Sequence, residues 1–225
     1  MNNYFKHRNI KPSNYIIDER FNEHSFETDY YLNDKNLNKE IKLLKDRLIK
    51  TNNQLNLYNG VLDFDSNYYN AHANAISKNV TFGIRFNLTM YNKYLSLKLI
   101  SDVLSDKEKQ NIFEEIGEAV LLHELGHVNN NPPRSSSMSD TLNYDELTGI
   151  YTVDKKAALS FMKEKLHRER LAWDYAFKIK PDSKILKWCA YQAYSSYVSS
   201  HIADKKNGFT YLTTIYGERI KVYFR

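Results

Sequence analysis

His123-Glu124-Leu125-Gly126-His127 combines residue types and a spacing that specify a reaction. Positions i and i+4 of a helix share one face, so both imidazoles can reach a single ion. Glu124 then falls to the side, close enough to take a proton from a water on that ion without ligating it. The donor set suits zinc, and the geometry works only if the segment is helical. Two histidines are one ligand short, because a hydrolytic zinc usually has three protein ligands and an open position.

Glu169 is the best candidate for the third ligand. Ala158, Met162, Leu166, Glu169, Ala172, Trp173 and Ala176 recur at three- and four-residue intervals, which makes one apolar stripe of a helix. A carboxylate on such a stripe is costly unless it is paired or bound to metal. Arg168 and Arg170, at the edge of the stripe, are the alternative partners. His167 falls off the stripe and reads as solvated. Asp145 and Glu146 could reach in from a loop, and His201 reads as a satisfied core histidine. His72 has no evident partner. Asp63-x-Asp65-x-Asn67 opens like a calcium loop, but Tyr68 stands where glycine is required and Asn74 where glutamate is, so that reading fails. Hydrolysis also needs a donor for the developing oxyanion, for which Tyr144 and Tyr151 are candidates. Asp174 could orient a ligand from behind.

Elements must position these groups. Ser105-Asp106-Lys107-Glu108 is a capping box, and Ile112, Phe113, Ile116, Ala119, Val120 and His123 continue one apolar face from it. That predicts a helix carrying the histidine motif and stopping near 129–131, before Pro132-Pro133. Leu37, Ile41, Leu44 and Leu48 predict an earlier helix over about 36–51. Val80, Phe82, Ile84, Phe86, Leu88 and Met90 alternate with polar or small residues, which predicts a strand over Val80–Tyr91. Residues 129–154 read as one long irregular loop. Helices are expected over about 155–179 and 182–204, with a hairpin over 209–215 and 219–224 around a turn at 216–218. The whole is expected as one α+β domain over 1–225, helix-rich with a small mixed or antiparallel sheet. A polar extension over 1–35 precedes it, and the hairpin over 208–225 closes it.

The histidine motif, followed by Glu169-Arg170-Leu171-Ala172-Trp173-Asp174-Tyr175-Ala176, resembles the zincin metallopeptidases of the gluzincin kind. Among these it is similar to the cytoplasmic ImmA/IrrE-type proteins of phages and mobile elements. The likeness covers the motif helix and one later helix, about a quarter of the chain. It implies a zincin-like fold with Zn²⁺ on His123, His127 and Glu169, and Glu124 as the general base. It also implies an edge strand lining the substrate cleft, a role that Val80–Tyr91 would fill. Asn130 and Pro133 stand where the metzincin extension needs glycine and histidine, so that branch is excluded.

Composition narrows the remaining choices. The chain has 225 residues and a single cysteine, Cys189, so neither a disulfide framework nor a thiolate zinc site is available within it. Seven glycines and four prolines exclude collagen-like and linker-like chains. The net charge is +5 with a pI near 9.0. With 24 Asn, 23 Lys and 18 Tyr along the chain, that charge reads as compositional bias more than as a nucleic-acid surface. No run of apolar residues is long enough to span a membrane, and Met1–Arg8 has no apolar signal core, so a cytoplasmic protein is expected, with virion association as a variant. The leading expectation is a zinc peptidase acting on a protein or peptide. The rivals are a zincin-like regulatory or DNA-associated binding protein, and a phage or mobile-element structural component with a vestigial site.

Overall fold

A computed structural model describes residues 34–55, 62–65, 71–74, 79–98, 103–130, 142–213 and 219–225. Residues 1–33 of the polar extension, the Tyr58–Gly60 turn and the 216–218 turn lie outside the described residues. The order is α1 (Asp34–Leu55), β1 (Leu62–Asp65), β2 (Ala71–Asn74), β3 (Asn79–Gly83), α2 (Ile84–Lys98), α3 (Asp106–Asn130), β4 (Leu142–Asp145), β5 (Ile150–Val153), α4 (Lys155–Ile179), α5 (Lys184–Asn207), β6 (Phe209–Thr213) and β7 (Arg219–Phe224). This is a helix-rich α+β arrangement.

Helix α3 is the axis of the fold, and α1, α2, α4 and α5 all pack on it. Its start follows from the capping box: Ser105 N–H donates to Glu108 Oε2 at 2.9 Å, and Glu108 N–H donates to Ser105 Oγ at 3.4 Å. Phe113, Ile116, Leu121, Leu122 and Leu125 of α3 are at most 1 % exposed. A helix apolar on most sides must be surrounded, and α3 is. Among the described residues no helix is long and apolar enough to cross a membrane.

α4 starts where Asp154 accepts from Ala157 N–H at 2.8 Å, and α5 where Ser183 accepts from Leu186 N–H at 3.1 Å. Four residues separate the two helices, so they fold back as an antiparallel pair. α5 ends at Gly208, whose φ of 74° turns the chain into β6.

There are two small sheets. The first has the order β1-β3-β2, with β1 parallel and β2 antiparallel to β3. The second has the order β4-β5-β7-β6 and is antiparallel except for β5 against β7. Its inner face packs Val153 and Val222 against Ala158 and Phe161 of α4.

Two sequence expectations need correction. The strand expected over Val80–Tyr91 ends at Gly83, and the rest is the start of α2. Ile84, Leu88, Tyr91 and Leu95 are all at most 8 % exposed, so the helical period governs burial there. β3 is also the central strand of its sheet, so it is not the expected edge strand. The loop expected over 129–154 contains the β4–β5 hairpin, turned at Gly149 with φ 68° and held because β5 pairs with the distant β7.

Candidate metal centre

The two histidines come from the C-terminal turns of α3, and Glu169 comes from the middle of α4. Close approach of the helices is what brings them together. A Cβ on Gly126 would lie 2.5 Å from the Ala172 backbone carbonyl oxygen and 2.7 Å from its Cα. Glycine at 126 therefore lets the backbone of α4 touch α3 between the two histidines. One turn along α4, Glu169 then faces both rings.

The donor atoms converge. His123 Nε2 and His127 Nε2 are 3.2 Å apart. Glu169 Oε2 is 3.3 Å from the first and 3.5 Å from the second. Among the described residues these three form the one such cluster of histidine, cysteine, aspartate and glutamate. For ligands about 2.0–2.1 Å from a tetrahedral ion, donor atoms sit about 3.3–3.4 Å from one another. The observed separations match that edge length, so the three side chains could hold a zinc-sized ion. Glu169 Oε2 is buried and makes no aligned hydrogen bond, and the contacts to both imidazoles run through this one oxygen.

Burial sharpens the electrostatics. His123 and Glu124 are each 6 % exposed and Glu169 is 9 % exposed. Burial alone would raise the Glu169 carboxyl, but the two imidazoles outweigh it and hold the group well below the usual carboxylate range. Glu169 is therefore anionic, as a ligand must be. Arg168 and Arg170 are not its partners in this pairing.

The His123 ring is held unusually. Its Nδ1 is buried with no hydrogen-bond partner. Trp173 instead stacks on the imidazole, with centroids 4.1 Å apart and planes 23° from parallel. Asp174 is half-buried, and its charge acts on Tyr194.

The sequence did not single out Tyr197 of α5, whose phenol feels the charges of Glu169 and Glu124. Met162 lies opposite His201 and Lys165 opposite Tyr197 along the antiparallel α4–α5 pair. Side chains tilt toward the start of their helix, so Tyr197 leans along α5 toward the level of Glu169. Burial, together with the negative charges of Glu169 and Glu124, pushes the Tyr197 phenol far above its ordinary range. It is thus a fixed proton donor within electrostatic reach of both carboxylates. Tyr144 and Tyr151, the candidate oxyanion donors, face each other across the β4–β5 hairpin, with ring centroids 4.6 Å apart and planes tilted by 37°.

The remaining candidates are accounted for. Asp145 is exposed and accepts from the turn amides of Leu147 and Thr148, and Glu146 is exposed in that turn. His167 is exposed on α4 beside Arg170. His201 Nε2 donates to the Met162 carbonyl at 2.9 Å, which makes it a structural histidine. His72 lies in β2. Cys189 is fully buried, and its thiol is pushed strongly upward by burial. Comparison with protein-family models, curated proteins and solved structures finds no match to this chain.

Proposed function

We propose that this chain is a zinc-dependent peptidase with a zincin-like active centre. The observation that carries the reading is the 3.2–3.5 Å spacing of three donor atoms on two helices. The gluzincin-like order of the motif and of Glu169 supports it. His123, His127 and Glu169 would hold the ion. Bound there, zinc would acidify a coordinated water and polarise the scissile carbonyl. Glu124 accepts the proton of the attacking water and returns it to the leaving nitrogen. Tyr197, protonated throughout, donates to the carbonyl oxygen as negative charge develops. Trp173 and the α3–α4 contact keep His123 and Glu169 in place while this happens.

The test combines metal content with cleavage. Wild-type protein should take up one zinc per chain by elemental analysis and cleave a peptide library. Glu124→Gln should keep the zinc and lose at least about a hundredfold in turnover. His127→Ala and Glu169→Ala should lose the zinc. Undiminished zinc in both ligand variants, or full turnover in Glu124→Gln, sinks the proposal.

A further inference from the structure

The second sheet has one face on α4, and among the described residues the other face carries exposed side chains. Strand alternation and cross-strand register decide what that face carries. Thr210 and Val222 pair on the inner face and are buried. Phe209 pairs with Tyr223, and Tyr211 pairs with Lys221, on the outer face. The same alternation brings exposed Arg225 to that face. Tyr211 and Tyr223 are 45 % and 39 % exposed, which is unusual for large rings on a sheet. The ring centroids of Tyr211 and Tyr223 lie 5.7 and 5.9 Å from that of Phe209. The Lys221 ammonium sits among them, 3.9 Å from the Phe209 centroid and 4.8 Å from that of Tyr223. No carboxylate among the described residues forms an ion pair with it. Asp145, at the far edge strand, is taken up by its own turn amides.

We propose that this outer face binds single-stranded nucleic acid, with Tyr211 and Tyr223 stacking on bases and Lys221 and Arg225 meeting phosphates. Charge complementarity selects this occupant. Aromatic rings interleaved with cations that no carboxylate among the described residues neutralises offer every base a π-face and every phosphate a counter-charge. The net charge of +5 is not evidence by itself, but here part of it is placed between the rings. The surface is built by β6 and β7 and is independent of the metal centre.

Fluorescence anisotropy with labelled oligothymidine and oligouridine of about 16 nucleotides tests this. The full chain should bind both in low salt, and duplex DNA of equal length more weakly. Tyr211→Thr and Tyr223→Thr keep β-branched, strand-compatible residues on a solvent face, so the fold should survive. Each should weaken binding roughly five- to tenfold. Lys221→Ala should reduce the slope of log affinity against log salt by about 0.7. His123→Ala should leave affinity unchanged. Absence of binding, equal affinity for duplex and single strands, or indifference to the two tyrosine substitutions would overturn the proposal.

Discussion

At the scale of single residues, His123 has the least ordinary support. A ligating imidazole usually donates its second nitrogen to a carboxylate or carbonyl, which fixes its plane. Here Nδ1 has no partner, and the Trp173 indole provides the plane. The indole nitrogen is also buried without a hydrogen-bond partner, so the ring contributes by its face. Trp173→Phe should therefore keep most of the zinc affinity, because a phenyl ring can still stack. Trp173→Ala should lower the affinity about 10- to 100-fold, the usual cost of losing an orienting group. Competition against a chelating dye measures both. Equal affinity in the alanine and phenylalanine variants would mean that the stacking does not orient the ligand. Tyr197 belongs at this scale too. No pattern in the sequence separates it from the other 17 tyrosines, because its proximity to Glu124 and Glu169 depends on the α4–α5 register.

At the scale of elements, the proposed metal centre is a helix crossing that depends on one missing methyl group. Gly126→Ala would place a Cβ against the backbone of Ala172, and backbone cannot rotate away as a side chain can. α3 and α4 must separate, and Glu169 moves away from both imidazoles. Overpacking of this kind costs about 1–3 kcal/mol. For a chain of this size that lowers Tm by roughly 2–10 °C. Zinc affinity should fall further than in a variant of equal Tm altered away from the crossing, and calorimetry with zinc titration separates the two effects. The helices themselves were legible. The capping box at Ser105 and the stripe through Glu169 placed α3 and α4, because caps and period are local. Val80–Tyr91 was not legible, because Val80, Ile84 and Leu88 fit both a strand and a helix. The positions that decide between them, Tyr91 and Leu95, matter only through burial against the core. The β4–β5 hairpin was hidden for a related reason. Its strands are four residues long and largely exposed, and the partner that holds them, β7, lies far along the chain.

At the scale of the whole molecule, a polar knot invisible to local patterns ties α1 and the α4–α5 turn to the axis helix. Glu118 of α3 is 5 % exposed. Its carboxylate accepts from Thr51 at 2.8 Å and from Arg47 at 3.0 Å, both on α1, and pairs with Lys180 at the α4–α5 turn. Arg47 also reaches Glu114 at 3.2 Å. Nothing in the local pattern marks Glu118 as buried until partners 67 and 71 positions away arrive. Burial would raise the Glu118 carboxyl, but Lys180, Thr51 and Arg47 outweigh it and hold the group below its ordinary 4.5. The sign of the linkage follows. A carboxyl depressed in the folded state contributes stability above its unfolded pKa and loses it as pH falls through the folded value. Glu118→Gln should therefore destabilise the protein at pH 7 by about 2 kcal/mol. That is below the usual loss for a fully buried pair, because Arg47 and Lys180 remain partly in water. As pH falls below the ordinary carboxylate value and on through the depressed folded value, wild-type Glu118 itself becomes protonated and comes to resemble glutamine. The difference in stability between the two proteins should then shrink toward zero. Urea denaturation of both across that range measures it, and the other carboxylates cancel in the comparison. A gap that stays constant down to pH 3 would show that Glu118 contributes by packing rather than by charge.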